Sequence, residues 1–312
     1  MNAYKGMRNI LFLIILLTCG MACKREDVGP DNEDAIPDSI TDGFCISFGD
    51  SVIINHGDIE IYDFSTHFVY LKEPHPIFED KYNLDIANMT FSVYASRELV
   101  YSGIIFPAWS SSIPAGPFIM WPSFYPGYVI PIDFTPVYTT RPDTIEDPRE
   151  DQRIVEALEK YGQLHAGLSL SIEDITIPSS HKVSFSYTIT NLNDFNYYIL
   201  SPEKTGTGLF HYFTNGLYMF NQETGWLMQQ QEVVTPDPWD SWDRSWLELL
   251  SHHSSKTYLI EYKNFDEVLP GSYDAYFRFP GLNHVDLEEI EDSKGRIWLG
   301  ELEASKKVTV TY

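Results

Sequence analysis

The 312 residues are enough for two ordinary domains, or for one large one with a sizeable core. Aromatics make up 15% of the chain, and 19 glycines and 19 prolines punctuate it, which favours a turn-rich β protein over a helical bundle. A formal net charge of −24 excludes nucleic acid as a partner, because phosphate binding needs a basic surface that displaces counterions, and it speaks against contact of the folded body with anionic lipid headgroups.

The first element reads as an export signal. Lys5 and Arg8 precede an unbroken apolar run from Ile10 to Leu17, and Thr18, Cys19, Gly20, Met21 and Ala22 lead to Cys23. Residues 10–22 fall short of the ~20 apolar residues that a spanning helix needs, so a signal peptide over residues 1–22 is expected rather than a membrane span. The segment Gly20-Met21-Ala22-Cys23 resembles bacterial lipoprotein signals, with Gly20 standing where Leu is usual. That resemblance implies cleavage before Cys23, acylation of Cys23 (palmitate among its lipids) and a lipid anchor in the membrane. Leu16-Leu17-Thr18-Cys19 competes for the same role, but Thr18 is a poorer residue before the cysteine than Ala22. Removing residues 1–22 takes away Lys5 and Arg8 and no acid, leaving −26.

Residues 23–42 follow as an acidic, Pro- and Gly-bearing stretch without aromatics, the composition of a disordered tether. Its start, Lys24-Arg25-Glu26-Asp27, resembles the export tag of surface-exposed lipoproteins of Bacteroidota-type outer membranes, from which Arg25 departs. The expected address is therefore the cell envelope at the outer membrane, with surface exposure implied by the tag alone. Cys45 is the one cysteine left for the folded body, so no intramolecular disulfide is expected there. It reads as a small buried side chain in a strand Phe44–Phe48.

Residues 43–138 read as a first β domain. Ile59–Tyr62, Phe68–Leu71, Met89–Tyr94 and Leu99–Phe106 are β-branched and aromatic runs separated by Gly, Pro, Asn and Asp. A Pro-rich aromatic stretch closes the domain, with Trp109, Trp121, Phe124, Tyr125 and Tyr128. Residues 139–164 read as a linker and a short helix. Asp147 is a candidate cap, Pro148 fits the first helical position, and Ile154, Val155, Leu158 and Tyr161 share a face that Gly162 ends.

Residues 165–312 read as a second β unit with cleaner alternation. Leu168, Leu170 and Ile172, then Val183, Phe185, Tyr187 and Ile189, alternate with polar residues. A hairpin is expected at Asn221–Gly225, a strand through Tyr258, Ile260 and Tyr262, and a type II turn at Pro270-Gly271 leading to Tyr273, Ala275, Phe277 and Phe279. Val308, Val310 and Tyr312 close the chain. The fold class expected is all-β, two immunoglobulin-like β-sandwich units with short helices between them and at one end. The order Ile189-Thr190-Asn191, the Tyr218–Gly225 hairpin and Leu269-Pro270-Gly271-Ser272-Tyr273 resembles immunoglobulin-like modules of bacterial secreted proteins, including those related to the intracellular proteinase-inhibitor domain.

No nucleophile elbow, P-loop, His-Glu-x-x-His or zinc-spaced cysteine pair is present, so no catalytic residue, metal ligand or cofactor site is assigned. Lys204-Thr205-Gly206-Thr207-Gly208 lacks the strand–loop–helix context of a phosphate loop and reads as a plain loop. His252-His253 reads as an exposed pair at the end of a helix, since adjacent side chains rarely hold one ion. His75, between two prolines, shows no partner in the sequence. The most distinctive stretch is Asp237–Leu250, where a helix would align Trp239, Trp242, Trp246 and Leu249 on one face. Either that face plugs the sandwich, or it forms an aromatic platform for a sugar ring or a peptide. Trp109, Trp121 and Tyr125 are weaker candidates. The expected function is a surface-tethered binding module for glycan or protein. A structural subunit of an envelope complex is the alternative, and a hydrolase or proteinase-inhibitor-like module the third reading.

Overall fold

The computed structural model describes residues 38–49, 52–79, 84–136, 146–230, 232–238, 241–281 and 294–311. The expected export signal, Cys23 and the tether up to residue 37 lie outside the described residues. Asp38–Tyr312 forms one compact unit whose described residues are mostly β, 49% of them in strands. The last expected tether residues already belong to it. Ile40 is fully buried, Thr41 Oγ1 lies 2.8 Å from His56 Nδ1, and Asp42 pairs with Lys160.

The first half runs β1 (Phe44–Phe48), β2 (Val52–Ile54), β3 (Ile59–Asp63), β4 (Phe68–Leu71), α1 (Pro76–Glu79), β5 (Thr90–Ala95), β6 (Glu98–Pro107), β7 (Gly116–Trp121), β8 (Val129–Pro131) and β9 (Asp133–Thr135). Six strands form an outer sheet in the order β2-β1-β5-β6-β7-β9, antiparallel except for the β6–β7 pair. After a helix, α2 (Gln152–Lys160), strand β10 (Leu164–His165) joins a second sheet, β10-β3-β4-β8. The two sheets close on Phe44, Phe48, Tyr62, Leu71 and Trp121, and α2 adds Ile154, Ala157 and Leu158 to the same core. Cys45 is buried and free on β1, a strand buried along both faces and not on alternate residues alone.

The second half runs β11 (Leu168–Ser179), β12 (Lys182–Asn191), β13 (Tyr197–Leu200), α3 (Pro202–Thr214), β14 (Leu217–Asn221), β15 (Gly225–Met228), β16 (Leu247–Leu250), β17 (Ser255–Tyr262), β18 (Gly271–Pro280), β19 (Arg296–Ile297) and β20 (Glu301–Val310). These make sheets β11-β12-β17, β16-β13-β19 and β15-β14-β18-β20. Their shared core is aromatic. Tyr187 and Phe185 of β12 meet Phe277 of β18 at ring distances of 4.6 and 4.9 Å, with Phe210 of α3 beside them.

The β3–β4–β8 sheet serves both cores. Tyr62, Val69, Leu71 and Ile130 face the first, while Ile61, Phe68, Tyr70 and Val129 face the second. Double burial is why Phe68–Leu71 is a continuous apolar run rather than an alternating one. A bulge between Ile59 and Ile61 resets the alternation, so Ile59 and Tyr62 reach the same core despite an odd spacing. The halves are also stitched by polar groups. Buried Asp63 accepts hydrogen bonds from Ser65 Oγ at 2.7 Å and Tyr197 Oη at 3.1 Å, and Ser65 Oγ in turn accepts from the Leu168 N–H.

Several local expectations are corrected. The helix expected from Pro148 to Tyr161 is two elements. Asp147 caps a 3-10 turn at Pro148–Glu150, then Asp151 leaves helical geometry and caps α2 afresh. The plain loop expected at Lys204–Gly208 lies within α3, which kinks at Gly206 (φ 70°, ψ 163°); two glycines depress helix propensity enough to hide it. Pro270-Gly271 is not a type II turn, for Gly271 lacks the positive φ that the turn requires and instead opens β18 opposite Val310. What holds this corner is Tyr273, whose hydroxyl donates to Leu269 O at 2.9 Å and accepts from Leu269 N.

The tryptophan helix at Asp237–Leu250 does not form in the described residues. A 3-10 turn spans Arg244–Trp246 and is capped by Asp243, and Leu247–Leu250 is strand β16 paired with β13. Pairing with a neighbouring strand overrides the local helical periodicity. His252 and His253 therefore follow a strand rather than a helix, in an exposed turn where His253 Nε2 lies 2.7 Å from Asp194.

Candidate functional site

The sheet β15-β14-β18-β20 has one face in the aromatic core and one in solvent. Inward go Leu217, Met219, Leu227, Tyr273, Ala275, Phe277 and Phe279, all buried. Strand alternation then forces Tyr218, Phe220, Trp226, Met228, Tyr276 and Arg278 outward. An outward face of a strand is ordinarily polar, and here it carries four aromatic rings.

The cross-strand register gathers those rings. Trp226 stands opposite Phe220, and Tyr218 stands between Met228 and Tyr276. The Trp226 ring lies 4.9 Å from Phe220, 5.7 Å from Tyr276 and 6.4 Å from Tyr218, the last edge-on. Three rings brace the indole, yet 57% of the residue is exposed. Such cross-strand aromatic contacts fix a side chain at little further entropy cost. Tyr218, Trp226, Met228 and Tyr276 of this strip line an open cleft of about 580 Å³, together with Thr214, Asn215, Arg278 and Glu303.

Charges border the strip in pairs. Arg278 Nε lies 3.2 Å from Glu301 and Nη2 lies 3.7 Å from Glu303. Lys307 Nζ lies 2.7 Å from Asp274. Burial pushes the Tyr218 hydroxyl up, with nearby Arg278 opposing. Burial likewise raises Glu301, against the pull of Arg278 and with Asp133 and Glu303 adding to the rise.

The aromatic residues singled out in the sequence are not gathered into one face. Trp239 lies outside the described residues. Trp242 and Trp246 are half-buried against the second core, and the Trp246 ring leans on Phe213 at 5.8 Å. Trp121 is fully buried and packs on Phe78, so it presents no face to a ligand. Tyr125 is half-buried edge-on to Phe68, and Trp109 is 58% exposed after β6. The hairpin expected at Asn221–Gly225 stops one residue short of Trp226. The available signal was aromatics at Tyr218, Phe220 and Trp226, on the register opposite to the buried Leu217, Met219 and Leu227.

One group of possible metal ligands exists among the described residues: His67, Asp147 and Glu150, whose ligand atoms lie within 4.8 Å of one another. Their chemistry does not suit a cation. Both Asp147 oxygens accept hydrogen bonds from the Arg149 guanidinium, at 2.6–3.0 Å, and His67 Nδ1 is engaged with Tyr62 Oη at 2.9 Å. The guanidinium already fills the place of positive charge. Burial, with Arg149 adding, pushes His67 down to about 3, so it stays neutral.

No helix among the described residues is long and apolar enough to cross a membrane. The chain matches no family model, no curated protein and no solved structure.

Proposed function

We propose that this chain is a lipid-anchored envelope protein whose folded body is a binding module for glycan or protein, with the outer face around Trp226 as its ligand face. The observation that carries the reading is an indole that is 57% exposed, braced by three other rings, over a cleft of about 580 Å³. That volume falls in the roughly 300–1,000 Å³ range of small-ligand clefts, and tryptophan is the residue most enriched where binding energy concentrates. The basic start, apolar run and Ala22-Cys23 junction support the anchor.

The test uses cells producing the full chain. Radiolabelled palmitate is expected on the wild type and absent from Cys23→Ser. Cells displaying the wild type are expected to retain soluble polysaccharide or protein ligands that cells displaying Trp226→Ala lose. An unlabelled wild type would remove the anchor from the proposal, and retention indifferent to Trp226→Ala would remove the face.

A further inference from the structure

We infer that the Trp226 cleft takes a neutral sugar ring, stacked flat on the indole. The inference rests on the binding reading above and narrows its ligand class.

The rings set the first limit. Phe220 and Tyr276 each pack against Trp226, with centroids 4.9 and 5.7 Å from that of the indole. Rings packed this closely on the indole leave no gap beside it for an ammonium group, and they stand tilted to it at 47° and 53°, so the exposed indole itself is the platform and no cation cage forms around it. A platform suits a ligand with a flat face of C–H bonds, and a pyranose has one. Its hydroxyls, spread around the ring edge, need donors and acceptors at the border, and Arg278, Glu303 and Asn215 stand there.

Charge sets the second limit. Arg278 is the one cation lining the cleft among the described residues, and it is held between Glu301 and Glu303. An anionic sugar would have to displace those carboxylates and approach a chain of net charge −24. Neutral hydroxyls can share the pair without breaking it.

The edge of the sheet sets the third limit. Strand β15 is terminal in its sheet, where a peptide could add as a further strand. Its outer side is already used at Met228, whose N–H donates to Asp266 Oδ2 at 2.9 Å and whose carbonyl accepts from Asp266 N at 3.0 Å. Gln230 N–H donates to Asn264 O one step on.

The full chain, purified in detergent, is run through native gels holding a neutral polysaccharide (β-glucan, galactomannan or dextran) or an anionic one (polygalacturonate or heparin). Choline binding is read by calorimetry. Retardation is expected in at least one neutral gel, with little dependence on salt. Trp226→Ala should weaken it about tenfold or more, Trp226→Phe should keep part of it, and Trp109→Ala, equally exposed but elsewhere, should leave it unchanged. Unaltered melting of each variant shows that the fold is intact. Salt-sensitive retention by the anionic gels alone, choline binding, or no retardation in any neutral gel overturns the sugar inference. A protein ligand lost with Trp226→Ala would overturn it too, yet leave the binding-module reading standing. Ligand binding that ignores Trp226→Ala would overturn both.

Discussion

Gly167 shows how one residue holds the two β regions together. Its φ is +79°, which side chains rarely adopt, and a Cβ there would sit 2.1 Å from Ser65 Oγ and 2.3 Å from Asp63 Oδ1. Both atoms belong to the buried hydrogen-bond cluster that ties β3 to Tyr197 and Leu168. Gly162 is the natural control, with φ +65° and nothing near its missing Cβ. Gly167→Ala is expected to cost about 3 kcal/mol in urea unfolding, from backbone strain and overpacking together. Gly162→Ala should cost about 1 kcal/mol, from the backbone alone. Equal losses would mean that the cluster yields freely. His211 makes a second case. It is buried in α3, and neither ring nitrogen finds a partner among the described residues. Leucine in its place removes two unpaired polar atoms, and His211→Leu is expected to stabilise the fold by about 1 kcal/mol at neutral pH.

At the scale of elements, the corner before β18 is the most exacting contact. The Tyr273 hydroxyl serves both polar atoms of Leu269, and the ring is buried beneath the sheet. Tyr273→Phe keeps the packing and strands a backbone N–H and C=O. It should therefore cost about 1–3 kcal/mol by thermal or urea unfolding, with no change in ligand binding. A neutral result would make the corner ornamental. Strands were the elements most legible in the sequence, because β12, β17 and β18 each bury one face, and Val183 to Ile189 records that in strict alternation. The elements that escaped did so for local reasons. Gly206 and Gly208 concealed α3, and the tryptophan spacing at Trp239, Trp242 and Trp246 mimicked a helix where β13 recruits Leu247–Leu250 as a strand. The proposed ligand face was half legible. An exposed aromatic cluster could be anticipated, but its place could not, since it depends on the register that brings Tyr276 beside Tyr218.

For the whole molecule, burial of neutral histidines sets the response to acid. Burial pushes His211 down to about 4 and His67 to about 3, against about 6.5 in an unfolded chain. Below pH 6.5 the unfolded chain takes up protons that the folded one refuses, so stability is full above that value and drains away as pH falls toward 4 and then 3. Asp63 acts in the opposite sense. Burial raises its carboxyl, so its share of stability is largest in acid and declines as pH rises past the ordinary carboxylate range. Urea midpoints at pH 7, 5.5 and 4 should fall in that order, and His211→Leu should flatten the descent. A descent that His211→Leu leaves unchanged would contradict neutral burial of this ring. Among the described residues Trp109 and Trp226 are the most exposed tryptophans, which makes the proposed ligand face directly visible to chemistry. Limited N-bromosuccinimide oxidation, read at each tryptophan by peptide mass spectrometry with and without a neutral polysaccharide, is the most direct measurement. Trp226 and Trp109 should oxidise while Trp121 and Trp298 are spared, and the polysaccharide should protect Trp226 and leave Trp109 reactive. A Trp226 that resists oxidation in the free protein, or one that stays equally reactive when the polysaccharide is bound, would contradict the account.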